Sequence, residues 1–271
     1  MSGGRRHGEE RRGSGGGRGE RGPAAGGGDV VAPGRMVVYG RNAVREALRG
    51  PREVARVWAT ERASREPWLE PAERRGLDLH VVRDGEELER LCGSPDHQGI
   101  CADVAPYGYA DADALLAAPD ALIVALDEIQ DPQNLGAIAR SAETAGATGV
   151  VLPERRSAEV TAAVCKASAG AVEHLPIAQV RNLADFLDDA QRAGAWRYGA
   201  DGDARVAYTK PDYRGPVVLV LGSEGRGLRQ RVAAACDELV ALPLHGRIES
   251  LNVSATAAVL LYEVVRQRGA A

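Results

Sequence analysis

This sequence predicts an α/β fold with a mostly parallel sheet, and three observations carry the prediction. Short, continuous apolar runs such as ALIVAL (121–126) and GPVVLVLG (215–222) have the texture of strands buried on both faces. These runs alternate with helix-patterned stretches, the rhythm of parallel sheets. Polar segments follow the runs directly, and open parallel sheets bind ligands at the carboxyl ends of their strands.

In chain order, residues 1–35 hold 13 of the 33 glycines and almost nothing to bury, so they read as a disordered Gly/Arg-rich tail. Residues 36–106 read as a small α/β unit. Its elements are a strand at MVVYG, a helix at RNAVREALRG closed by Gly50, a strand at VARVWA, a helix over 64–75, a strand at LDLHVV, a helix at GEELERL and a last strand within HQGICADVAPY. The alanine-rich stretch GYADADALLAAPD makes 107–120 a linker with room for a short helix. From 121 to 271 the pattern strengthens. The helices NLGAIARSAETAG and AEVTAAVCKASAG flank the strand TGVVLP; the strands GPVVLVLG and DELVALPL come later, then a long helix from about Asn252. In that helix Val253, Ala257, Leu260, Leu261 and Val264 form one apolar stripe.

Composition narrows the function classes. At 271 residues, 44% hydrophobic and 27% charged, the chain has the balance of a globular protein. No apolar run reaches the roughly 18 residues of a membrane span, and no secretory signal is evident, so a cytoplasmic protein is expected, with no membrane partner. The four cysteines show no CxxC pair and the five histidines do not cluster with them, so no metal site is expected. The formal charge of −4 combines a tail of net +3 with a body of net −7. An acidic body does not coat nucleic acid by bulk charge, although a local basic patch can still face phosphates. The tail suits either an RGG-like RNA-holding arm or an inert extension.

Three segments carry candidate chemistry. In DPQNLGAIAR (131–140), Pro132 and Asn134 open a helix whose free amides favour an anion, and Gly136, Ala137 and Arg140 share a small, cationic face that a ribose or phosphate can approach. In VLVLGSEGRGL (218–228), a strand enters a glycine-rich turn. The spacing is not GxGxxG and there is no Walker lysine, and Glu224 would repel a pyrophosphate, so hydroxyls or positive charge suit the turn better. In LPLHGRIESLNVSATAAVLLYEVV (242–265), a polar loop with Arg247, Glu249, Ser250 and Asn252 lies between apolar flanks. Either Ser250 or Asn252 can cap the following helix while the loop also binds a ligand.

Together these segments resemble, in order and spacing, the three motifs of the SpoU (TrmH-like) branch of the SPOUT RNA methyltransferases. VYGRNAVREAL and HQGI resemble that family's ribosomal-protein-L30e-like RNA-binding module, so the resemblance covers about residues 36–268. By these features the chain is most similar to the bacterial 23S rRNA guanosine-2′-O-methyltransferases. The resemblance implies a catalytic domain with a C-terminal trefoil knot, S-adenosylmethionine as cofactor, RNA as partner and a homodimer with the active site at the subunit interface. By motif position it implies cofactor contacts at Gly222, Leu242 and Leu251, with backbone from Ser223, Gly225 and Ile248. It also implies that Arg140 works at the reacting hydroxyl. Glu224 is expected to hold Arg140 or its neighbours, and Asn134, Ser250 and Asn252 to complete a hydrogen-bond frame. The alternatives are the same chemistry on tRNA and an inactive rRNA-binding assembly factor. An NAD-dependent enzyme is disfavoured by the absent GxGxxG.

Overall fold

In the computed structural model, residues 34–248 and 250–269 are described. The first four strands are β1 (Met36–Tyr39), β2 (Val54–Thr60), β3 (Leu79–Val82) and β4 (Ile100–Val104); with them come the helices α1 (Arg41–Arg49), α2 (Glu70–Glu73) and α3 (Gly85–Cys92). They form a mixed sheet in the order β1-β4-β2-β3, in which only β2 and β3 run parallel. Helix α3 begins where sequence places it, because the Asp84 carboxylate accepts the Glu87 N–H, and it stops at Gly93 in a left-handed conformation. The helix expected over 64–75 does not form as one piece. A single 3₁₀ turn at Ala63–Arg65 and the one-turn α2 replace it, because Pro67 and Pro71 each remove a backbone donor.

Helix α4 (Ala112–Leu116) leads into a second sheet. Its elements are β5 (Leu122–Asp127), α5 (Pro132–Thr144), β6 (Gly149–Pro153), α6 (Ala162–Ala167), β7 (Ile177–Val180), α7 (Leu183–Arg192), β8 (Trp196–Ala200), β9 (Val206–Ala207), β10 (Val217–Gly222), α8 (Gln230–Ala234), β11 (Glu238–Ala241) and α9 (Val253–Gly269). The order is β7-β6-β5-β10-β8-β11-β9, and every pairing is parallel. The chain builds outward from β5 through β6 to β7, then crosses to the other side, so the order reverses between β5 and β10. That reversal opens a crevice at the strand ends. Along β5, Leu122, Val124 and Leu126 share a core with Ile138 of α5 and Leu260 of α9, while Ile123 and Ala125 pack with Leu183 and Leu187 of α7. The predicted stripe on α9, Val253 to Val264, is buried throughout.

The two sheets' layers meet in a buried seam, and the described residues belong to one compact unit. Arg52, before β2, donates to the fully buried carboxylate of Glu173, with its Nε 2.9 Å from Oε2. It also reaches the Ala105 carbonyl at 3.1 Å and lies 5.6 Å from the Tyr107 ring centre. His174 bonds Glu46 of α1 at 2.9 Å. Gly40 and Gly170, both at positive φ, allow the close approach: a Cβ at Gly40 would stand 2.5 Å from Lys166 Nζ, and one at Gly170 2.6 Å from Glu46 Cβ.

Residues 107–120, expected as a linker, run along the edge of the second sheet, where Ala110 bridges Ala178 and Leu115 is buried. The Gly/Arg-rich tail lies, save Gly34 and Arg35, outside the described residues. Arg35 itself is anchored rather than loose, its guanidinium 2.5 Å from Asp103.

Candidate active site

Three loops converge on the crevice between β5 and β10. The first enters α5. Asp131 is its N-cap, with its carboxylate accepting the Gln133 N–H at 2.9 Å, and Pro132 takes the first helical position. The open anion site expected at this helix start is therefore already met by a carboxylate. Gly136 is also not a place of ligand approach. A Cβ there would lie 2.4 Å from Ala167 Cβ and 2.9 Å from Ser168 N, so the missing side chain lets α5 and α6 touch. Asn134, in the first turn, is buried.

The second loop follows β10. Gly222 pairs across the ladder with Asp127, and a Cβ on it would fall 2.2 Å from the carbonyl carbon of Gly227. The Gly227 N–H closes the loop onto the Ser223 carbonyl at 2.9 Å, and Gly225 and Gly227 take φ of 78° and 66°. Glu224, Gly225 and Arg226 form its exposed tip.

The third loop joins β11 to α9. Leu242 is half-buried, whereas Leu244, Ile248 and Leu251 expose 44%, 75% and 43% of their surface, which is unusual for side chains of this size. Glu249 lies outside the described residues. Asn252 caps α9, its Oδ1 accepting the Ser254 N–H at 2.8 Å.

Three of the expected residues meet. Glu224 Oε1 accepts from Asn134 Nδ2 and from Asn252 Nδ2, each at 2.9 Å, and Asn252 Nδ2 also donates to Asn134 Oδ1 at 3.0 Å. One carboxylate oxygen thus fixes two amides from distant segments, and capping α9 costs Asn252 nothing at the site. Beside this triangle lies a cavity of about 300 Å³, lined by residues 128–131, Asn134, the tip residues Glu224 and Arg226, and Val253. Glu128 enters it with φ of 59°, a conformation that bulky side chains seldom adopt.

Two expected residues stand outside the triangle. Ser250 is exposed and makes no hydrogen bond among the described residues. Arg140 is exposed and lies about 9 Å along α5 from Asn134 and roughly 240° around it. Among the described residues of one chain Glu224 therefore holds Asn134 and Asn252, and does not hold Arg140. Sequence reasoning did not single out Asp127, Glu128 or Arg226. Asp127 and Arg226 had a signal, as the last residue of an apolar strand and the one cation of a glycine turn. Among the described residues no group of acids, histidines and cysteines could hold a metal, and no helix is long and apolar enough to cross a membrane.

A wholly parallel sheet with polar groups from three loops gathered at its strand-order reversal defines the class: an α/β protein with a candidate ligand site at that crevice. The comparisons with known proteins name the family. The SpoU rRNA Methylase family matches residues 121–262, and the RNA 2′-O ribose methyltransferase substrate binding family matches residues 37–110. This chain belongs to the SpoU family: it is an RNA 2′-O-methyltransferase that depends on S-adenosylmethionine. It is 42% identical over 240 residues to the 23S rRNA (guanosine-2′-O-)-methyltransferase RlmB of Xanthomonas campestris, covering 85% of this chain and 96% of that one. The solved SpoU methyltransferase AviRb from Streptomyces viridochromogenes, in complex with the cofactor AdoMet, superposes with TM-score 0.73 at 26% identity, over 87% of this chain and 91% of that one. The A. aeolicus TrmH/SpoU tRNA modifying enzyme superposes with TM-score 0.51 at 27% identity, over 56% of this chain and 77% of that one.

Proposed function

We propose that this chain transfers the methyl group of S-adenosylmethionine to the ribose 2′-hydroxyl of one guanosine in 23S rRNA. The observation that carries the reading is the Asn134–Glu224–Asn252 triangle, which ties all three motif segments together at the sheet's reversal point. The rRNA substrate is supported by the front module: the RlmB relative aligns over almost its whole length, whereas the tRNA-modifying enzyme overlaps only 56% of this chain. Such a substrate places the protein in the cytoplasm.

The residues present fit the cofactor. Gly222 lets the turn close against the Gly227 backbone, the open, side-chain-free backbone at Gly225 beside Ser223 suits its polar end, and Leu242, Ile248 and Leu251 offer apolar cover for a purine. The knotted path implied by the family motifs belongs to the same proposal, and the contact of Asn252 with Glu224 across the third and second loops supports it. When bound, the cofactor supplies a methyl group already activated by its sulfonium. The protein's own task is to hold the 2′-oxygen in line and ease the loss of its proton.

Asn134 keeps one amide hydrogen outside the triangle, and Glu224 keeps an oxygen that bonds nothing among the described residues, so each can meet a ribose hydroxyl. Ser250, exposed on the third loop, adds a hydroxyl to this frame. A guanidinium offers five donors and no acceptor, so Arg140 suits a developing alkoxide as its hydrogen-bond partner rather than as its base. Its exposed place on α5, away from this chain's own triangle, supports the part of the proposal in which Arg140 serves the site of a second copy. A homodimer would also cover Val259, Tyr262 and Val265, which α9 exposes by 37%, 53% and 36%.

The test is methyl transfer from labelled S-adenosylmethionine to unmodified 23S rRNA and, separately, to unmodified tRNA, followed by mapping of the 2′-O-methylated position. One labelled rRNA guanosine is expected. Labelled tRNA would overturn the substrate, and Arg140→Ala with near-normal turnover would overturn that residue's role.

A further inference from the structure

Asp127, the last residue of β5, is a buried carboxylate that the transfer itself does not use, its side chain fully shielded from solvent. A charge so placed needs a partner. It has one in Arg229, and the manner of pairing is informative. Asp127 Oδ2 accepts the backbone N–H of Arg229 at 2.8 Å, while Oδ1 accepts Nε of the same residue at 2.7 Å. A bond to a guanidinium alone would neutralise charge and leave the backbone free. A bond to the backbone N–H as well fixes where the chain runs.

Asp127 is also the ladder partner of Gly222. Both ends of the glycine loop, residue 222 by the ladder and residue 229 by the carboxylate, are thus tied to one residue of β5. Inside those ties the Gly227 N–H closes onto Ser223, so the tip carrying Glu224 has little freedom left. The tip must stay where it is for Glu224 to reach Asn134 and Asn252 at 2.9 Å.

We propose that Asp127 is the positioning residue of the glycine loop: through Arg229 it holds the loop in its cofactor-receiving form and so sets the affinity for S-adenosylmethionine. This rests on the reading that the loop is the cofactor site. Asp127→Ala frees the Arg229 end of the loop. Asp127→Asn keeps an acceptor for the backbone N–H and loses the ion pair. Arg229→Ala keeps the backbone bond and loses the guanidinium.

The experiment compares the full-length wild type with these three variants. It measures S-adenosylmethionine binding by calorimetry and, separately, binding of an unmodified 23S rRNA fragment, with thermal melting as a check on folding. Releasing the Arg229 end of the loop removes charge-assisted bonds that pre-form it, and is expected to weaken cofactor binding about 10- to 100-fold in Asp127→Ala, with smaller losses in Asp127→Asn and Arg229→Ala. RNA affinity should stay within about twofold of wild type, a split that general loosening of the fold would not produce. Wild-type cofactor affinity in a folded Asp127→Ala, or equal loss of both ligands in all three variants, overturns the proposal. If Asp127→Ala does not fold, Asp127→Asn and Arg229→Ala decide it by the same split. A wild-type protein that binds the RNA but no S-adenosylmethionine overturns the site reading, and this proposal with it.

Discussion

Replacing Glu173 by Gln at the seam should destabilise the protein far more than the loss of one hydrogen bond. The Glu173 side chain is fully buried and that of Arg52 is 7% exposed, so the variant leaves a guanidinium charge without its counter-ion. Breaking such a pair costs about 3–5 kcal/mol. Arg52 keeps the Ala105 carbonyl at 3.1 Å and the Tyr107 ring at 5.6 Å, which argues for the lower end, about 3 kcal/mol. For a folded unit of this size that corresponds to a fall in Tm of roughly 6–12 °C, or a separate early transition if the front sheet uncouples first. The assay is calorimetric melting of Glu173→Gln, Glu173→Leu, Arg52→Met and the double variant Arg52→Met/Glu173→Leu, the last compared with its own two singles. Removing both charges should recover most of the loss, because the desolvation of the ions is removed with their attraction. A fall of less than about 2 °C in Glu173→Gln, or a double variant as unstable as the sum of the singles, would refute a buried ion pair as the lock of the seam.

Gly222→Ala should abolish measurable cofactor binding in a protein that still folds, because its Cβ would meet the Gly227 backbone at 2.2 Å and the loop must shift; calorimetry reads the outcome. Gly136→Ala should instead lower stability by about 1–3 kcal/mol through the α5–α6 contact, measured by urea unfolding. Burial pushes the Cys101 and Cys236 thiols up to about 12 and Cys165 to about 11, and raises Cys92 as well, so at neutral pH a disulfide reagent should label all four slowly, with Cys92 first; a faster Cys101 or Cys165 would contradict the packing. The Arg197 guanidinium holds the Asp237 carboxyl below its ordinary value, so the stability from this pair is complete above the unfolded-state pKa and is lost as pH falls through the lower folded one. Acid titration of stability should therefore be shallower below about pH 4 in Asp237→Asn than in wild type.

The parallel sheet was legible because burial on both faces leaves its strands as unbroken apolar runs, and the α9 stripe because one helical face has to pack. The reading of 64–75 as a helix erred for a local reason: apolar spacing resembled a helix, but two prolines decided the backbone. At the site, sequence brought Asn134, Glu224 and Asn252 into one list, yet not the fact that a single carboxylate oxygen joins them, since that depends on which strands become neighbours. β5 and β10 are about ninety residues apart in the chain and adjacent in the sheet. Gly136 shows the same limit from the other side. A glycine in a motif announces only that something comes close, and the thing that comes close here is α6 rather than a ligand. It follows that the invisible part of the site is its support. Asp127 looks in sequence like the end of an apolar run, and only the crossing that lays β10 beside β5 makes it the anchor of a loop a hundred residues away.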